Sequence, residues 1–216
     1  VREALQHIAA QPDPDPVKDA LRRLLQEWDR RYLEGMLDAL MRKKHLAHQW
    51  SQHYSSSSPE AIFASWGEMV RNALEPICRQ LLEAGEFIPQ LRELTALAPQ
   101  KNPHKDSAEQ LIAPLRSRVQ TLFDTPTLEN ALKTLPALAR GLTTAEGKPY
   151  KASKGSKANW DAETLARFRL LLTATGEALA PHADLLQQDL DAHDLRAAHL
   201  LCDLSAVFLQ VHARYQ

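Results

Sequence analysis

Four lysines recur at every third position in one stretch of this sequence. They are Lys148, Lys151, Lys154 and Lys157, and no Asp or Glu lies between them. Lysine carries a compact charge on a flexible stem, so a run of lysines among Gly and Ser suits sequence-independent contact with phosphate groups. Composition leaves a second interpretation open, in which the run is only a solvated, poorly ordered loop.

A second basic group, Arg42, Lys43 and Lys44, lies within a segment of helical periodicity. It predicts another phosphate-contacting surface, and the alternative is again a solvated helix face. The chain has 26 Lys and Arg against 27 Asp and Glu, a formal net charge of -1. Any contact with nucleic acid must therefore be local.

The histidines are the residues most suited to bind a metal ion. His45 and His48 lie three apart on one predicted helix face, but no carboxylate accompanies them at a suitable spacing. His182, His193 and His199 are spaced irregularly among aspartates. We therefore predict no metal site, with the first group forming a solvated basic face and the second a polar surface.

The familiar sequence signatures of catalysis are missing. There is no Walker A sequence, no Gly-x-Ser-x-Gly, no His-Glu-x-x-His and no Cys-x-x-Cys. We predict no catalytic residue and no cofactor in this chain. Cys78 and Cys202 lie in apolar helical patterns and are expected to be buried thiols in a reducing, cytoplasmic compartment. No apolar run approaches the roughly 20 residues of a membrane span, so no membrane partner is expected.

Apolar residues recur at spacings of three and four over most of the chain. This predicts an all-α fold, an irregular multi-helix bundle that forms one helical subdomain over residues 1–216, with a sheet excluded and at most a small hairpin. One apolar pattern runs from Val17 toward Tyr54, and Pro76 is expected to kink or split a later helix. A lysine-rich loop is predicted at about 141–159, and Asp194 is expected to cap the final helix. The four tryptophans are expected to pack in the core.

Three segments together resemble parts of the large helicase–nuclease subunits of the AddA and RecB type. Residues 29–50 resemble an amphipathic helix of that family that ends in a basic pair. Residues 141–151 resemble its acidic-Gly-Lys-Pro-x-Lys turn, which leads into a lysine-rich loop. Residues 208–216 resemble the end of the helix that precedes the Walker B segment. The order and spacing of the three segments match the family.

The resemblance implies the helical 1B subdomain of a UvrD-like superfamily one helicase, inserted between the Walker A and Walker B parts of the first motor domain. It implies ATP-driven DNA unwinding, often coupled to an exonuclease, in double-strand break repair and recombination. The chain would guide duplex DNA to the motor, while the parent protein would bind ATP and Mg²⁺. Its expected partners are duplex DNA, the remaining motor domains of the same polypeptide and a second helicase or nuclease subunit.

The chain ends also carry an expectation. The sequence begins at Val1 and its last helical pattern shows no stop signal, which is typical of a segment excised from a larger protein. An inserted segment must leave and re-enter its host at nearby points, so the termini are expected to lie close together. The alternative function, left open here, is a helical protein-interaction or scaffold domain with no nucleic-acid role.

Overall fold

A computed structural model describes residues 1–150 and 154–215, so Lys151 of the lysine run lies outside the described residues. The described chain is mostly helical, and its only β pairing is an isolated antiparallel bridge between Thr143 and Pro149. This confirms the predicted all-α, multi-helix fold. Where the sequence predicts one subdomain, the chain divides into two compact units. The first unit comprises Val1–Glu68 and Leu190–Gln216, and the second comprises Met69–Asp189.

The first unit is built around the C-terminal helix. Its helices are α1 (Arg2–Ala9), α2 (Pro16–Glu27), α3 (Arg30–Arg42), α4 (Lys44–Ser55), the first part of α5 (Pro59–Glu83) and α11 (Ala192–Arg214). Helix α11 packs against α4 and α2, and Leu24, Leu37 and Phe208 are fully buried in the shared core. The Val1 ammonium group donates to the Tyr215 hydroxyl at 2.8 Å. The two ends of the described chain are thus adjacent, as the sequence predicts.

The apolar pattern that runs toward Tyr54 forms three separate helices rather than one continuous helix. Trp28 has an extended backbone, and the Asp29 side chain then accepts the Tyr32 amide at 2.9 Å to cap α3. Lys43, at φ −114° and ψ 36°, separates α3 from α4. Periodicity misses these breaks because apolar spacings of three and four resume immediately on either side of them.

The second unit holds the other helices around its own core. They are the second part of α5, α6 (Phe87–Ala96), α7 (Ser107–Asp124), α8 (Leu128–Leu142), α9 (Ala162–Leu179) and α10 (Ala183–Leu186). Helix α5 runs through Pro76 without splitting. Proline removes one helical hydrogen bond, and the burial of Leu74, Cys78 and Leu81 on either side holds the helix across that gap.

The cap of the final helix differs from the prediction by three residues. Asp191, not Asp194, is the N-cap, and its side chain accepts the His193 amide at 2.7 Å. Asp194 lies at the third helical position and accepts the Asp191 amide at 2.9 Å. The two aspartates form a reciprocal capping box. Both residue types suit a cap, so composition alone does not choose between them.

Candidate nucleic-acid interface

The lysine run lies on the loop that joins α8 to α9 in the second unit. Helix α8 continues to Leu142, so the loop begins two residues later than predicted. Its first part is a closed turn, in which the Thr144 amide donates to the Lys148 carbonyl at 2.7 Å and the Gly147 amide donates to the Thr144 carbonyl at 2.8 Å. Lys148 is therefore presented from a hydrogen-bonded turn.

The Lys148 side chain is exposed and forms an ion pair. Its side chain is 73% exposed, and Nζ lies 2.7 Å from a carboxylate oxygen of Glu146, the acid just before the run. Exposed ion pairs contribute little to stability. Glu146 therefore competes only weakly with a phosphate for this ammonium group.

The buried carboxylate of Asp106 accepts hydrogen bonds from the later part of the loop. One oxygen caps α7 by accepting the Ala108 amide at 2.9 Å. The other accepts the Ser156 amide at 3.1 Å and the Asn159 side-chain amide at 3.0 Å. Burial alone would raise the pKa of Asp106, but these hydrogen bonds lower it to about 2. Its negative charge is thus directed at loop and helix amides rather than at the lysine side chains.

Helix α9 also holds this part of the loop through hydrogen bonds. The Arg169 guanidinium donates to the carbonyls of Lys154, at 3.0 Å, and Gly155, at 2.9 Å. Gly155 has a φ of +83°, and a Cβ there would lie 2.6 Å from Leu165 Cδ1, so the position requires glycine. The backbone of residues 154–160 is therefore held by hydrogen bonds to the side chains of Asp106 and Arg169.

The lysine side chains are less constrained than the backbone that carries them. Lys154 Nζ lies 4.9 Å from the centre of the Tyr150 ring, which is a cation–π arrangement. Lys157 is exposed. A fixed backbone with flexible charged ends suits phosphate contact without a fixed side-chain geometry.

The structure adds two lysines that sequence reasoning missed. The amides of Gln100 and Lys101 both donate to the Asn159 carbonyl, at 2.8 Å and 3.1 Å, which joins the 97–106 loop to the lysine-rich loop. Lys101 and Lys105 are exposed on that second loop. They lie about fifty residues earlier in the chain, and no spacing signal connects them to the lysine run. We call the set Lys101, Lys105, Lys154 and Lys157 the lysine cluster.

Arg42, Lys43 and Lys44 lie where α3 meets α4 in the first unit, and we call this group the basic elbow. All three are exposed, and none forms an ion pair with a residue in 1–150 or 154–215. Helix α4 begins at Lys44 without a side-chain cap. The positive end of the helix dipole therefore adds to the three cations.

The prediction of a solvated histidine face is wrong for His48. Its half-buried ring packs against His212 of α11, with ring centres 4.7 Å apart, and His212 is only 6% exposed. Burial lowers the pKa of His212, and the nearby charges of His48, Lys44 and His45 lower it further. His48 thus belongs to a packed pair between α4 and α11.

Other chemistry is limited in the part of the chain that the structure describes. Within residues 1–150 and 154–215, no three His, Cys, Asp or Glu side chains are grouped to hold a metal ion, and no helix is long and apolar enough to cross a membrane. Cys78 is fully buried, and burial raises the pKa of its thiol to about 11. Such a thiol is a poor nucleophile at neutral pH.

Comparison with known proteins finds no relative. The sequence matches no protein-family profile and no curated protein, and the fold matches no solved structure.

Proposed function

We propose that this chain is a DNA-contacting accessory subdomain of an ATP-dependent DNA helicase/exonuclease that acts in double-strand break repair and recombination. The resemblance of residues 29–50, 141–151 and 208–216 to AddA and RecB type proteins supports the helicase assignment. The observation that carries the DNA contact is the lysine cluster on its fixed backbone.

The cluster fits a duplex backbone through charge rather than shape. Two loops joined through Asn159 present Lys101, Lys105, Lys154 and Lys157, while the nearest buried acid, Asp106, is occupied by amides. Phosphates neutralised by lysines release condensed counterions, which gives affinity that depends on salt but not on base sequence. A subdomain that guides any duplex to a motor needs this property.

The helicase assignment has a direct test in the encoding reading frame. We expect a Walker A sequence upstream of this segment and an Asp-Asp or Asp-Glu Walker B segment directly downstream. A reading frame that lacks either would contradict the helicase assignment. That result would not contradict the DNA contact, which is tested separately by duplex binding.

The DNA contact is tested by fluorescence anisotropy with a labelled duplex at low salt. We expect the triple substitution Lys101→Ala, Lys154→Ala and Lys157→Ala to weaken duplex affinity by about tenfold or more. The matched control removes three cations elsewhere in the second unit, by Arg71→Ala, Arg79→Ala and Lys133→Ala. Equal losses in the two triple variants would show that only overall charge matters, and would contradict a specific DNA-contacting cluster.

The second candidate function is a helical protein-interaction domain with no nucleic-acid role. The observation that favours it is an apolar groove beside the basic elbow, because apolar surface contributes nothing to phosphate binding. This candidate becomes the better account if the lysine-cluster variant binds duplex DNA as well as the unaltered chain does.

A further inference from the structure

An apolar groove lies next to the basic elbow in the first unit. It is a shallow, open depression of about 430 Å³ lined by Leu40, Lys43, Leu46, Ala47, Gln49 and Trp50. Leu46 is 69% exposed. Trp50 is half-buried, and its ring centre lies 4.9 Å from that of Tyr54 in an edge-on arrangement. Single exposed leucines are ordinary. A concave surface that joins an exposed leucine to a tryptophan is typical of an interaction site.

The segment that lines the groove carries charge of one sign along the sequence. No Asp or Glu occurs between residues 39 and 59, while Arg42, Lys43, Lys44 and His45 are all exposed. The uncapped start of α4 places further positive potential at the same point. The complementary surface is therefore apolar at its centre and acidic around it.

We propose that this groove binds an amphipathic helical segment of a partner protein, with apolar residues at spacings of three and four and with Asp or Glu beside them. Such a segment places its apolar side chains against Leu40, Leu46 and Trp50, as in other helix-in-groove complexes. Its acidic residues face Arg42, Lys43 and Lys44. This surface goes beyond the proposed DNA contact and belongs to the other unit.

Two other occupants fit the groove less well. Duplex DNA would engage the basic elbow but would leave the apolar centre in water, so Leu46 would contribute nothing. A second copy of this chain would bring an identical basic elbow to the groove if the pairing were symmetric, because a two-fold interface uses the same surface on both partners. Like charges would then face each other.

The test uses a displayed library of random peptides of about 16 residues, long enough for four helical turns. The library is selected on the 216-residue chain and counter-selected on the Leu46→Ser variant. An enriched peptide is then synthesised with a fluorescent label and titrated by anisotropy. We expect acidic amphipathic sequences whose affinity falls about tenfold or more with Leu46→Ser, and similarly with Lys43→Glu combined with Lys44→Glu.

Matched variants separate a local effect from a general one. Leu170→Ser replaces a leucine that is 58% exposed in the second unit and should leave peptide affinity unchanged. Gln49→Glu places a negative charge on the groove lining and should weaken an acidic peptide without removing apolar surface. Circular dichroism of each variant checks that the helices are retained.

Several results would overturn the proposal. The first is the absence of any peptide enriched over the Leu46→Ser variant. The second is an enriched peptide whose affinity survives the charge reversal at Lys43 and Lys44. A labelled duplex that loses affinity through the charge reversal but not through Leu46→Ser, with no peptide selected, would assign the elbow to DNA. A concentration-dependent dimer that Leu46→Ser abolishes in sedimentation would assign the groove to a second copy.

Discussion

The lysine loop of the second unit and the basic elbow of the first unit are both short runs of positive charge, but they are supported differently. The backbone of the lysine loop is held by the buried Asp106 carboxylate and by Arg169, and its lysines extend from a polar loop. The elbow lies at the junction of two helices, and its cations border an apolar groove lined by Leu46 and Trp50.

The comparison shows that the surface around a basic run decides which kind of partner the run suits. Fixed backbone and flexible ammonium groups, without exposed apolar surface, favour phosphate contact. Cations that border an exposed leucine and a half-buried tryptophan favour a protein partner with complementary charge. The sequence contains both runs, but only the structure shows which side chains surround each one.

The largest expected effect concerns the carboxylate beneath the lysine loop. Asp106→Ala removes a helix cap and leaves the buried Ala108 amide and two part-buried loop amides without an acceptor, so we expect the free energy of unfolding to fall by about 2–4 kcal/mol. Urea denaturation measures it. The control Asp161→Ala removes the half-buried cap of α9 and one hydrogen bond from the Gln100 side chain, and should cost about 1 kcal/mol. Equal costs for the two substitutions would refute the anchoring role of Asp106.

Substituting one glycine in each unit should change the free energy of unfolding in opposite directions. Gly155→Ala forces a side chain into a left-handed backbone and toward Leu165, so we expect a loss of about 1–2 kcal/mol in unfolding free energy. Gly35 lies within α3 with no atom within 4 Å of an added Cβ, so Gly35→Ala should stabilise by up to about 1 kcal/mol. Thermal denaturation of the two variants tests the opposite signs. A stabilising Gly155→Ala would contradict the fixed loop.

Acid should affect the two units over different pH ranges. The pKa of His212 is lowered below 6.5, so the unfolded state binds a proton first and the first unit loses stability as pH falls through about 6.5. The pKa of Asp106 is lowered from 3.8 to about 2, so its stabilisation is present above 3.8 and is lost as pH falls toward 2.

The histidine effect is the smallest of the three and is isolated by substitution. Urea denaturation at about pH 7.5 and about pH 5.5 should show a drop in stability that is smaller in His212→Gln than in the unaltered chain, because the neutral amide does not titrate. Asp106 stays ionised over this range and should not contribute. Identical drops in both proteins would exclude His212 as the source.

The sequence predicts the helical class and most helix positions, because apolar periodicity and capping residues such as Asp15 act locally. It does not predict the break at Lys43, where only backbone geometry changes. It identifies the lysine run but not Lys101 and Lys105, which lie on a separate loop that joins the lysine-rich loop through hydrogen bonds from the Gln100 and Lys101 amides to the Asn159 carbonyl. Contacts between distant segments, including the His48–His212 pair, depend on packing that no local pattern encodes.

The most direct test of the DNA-contacting function is the salt dependence of duplex binding in the full-length protein. The variant replaces the lysine cluster, Lys101, Lys105, Lys154 and Lys157, with Ala, and affinity for a duplex end is titrated across a salt series. Each phosphate contact contributes about 0.9 to the slope of log affinity against log salt, so loss of all four should flatten it by roughly 3 to 4. Sequence preference should not change. An unchanged slope would contradict the DNA-contacting function and favour the interaction domain.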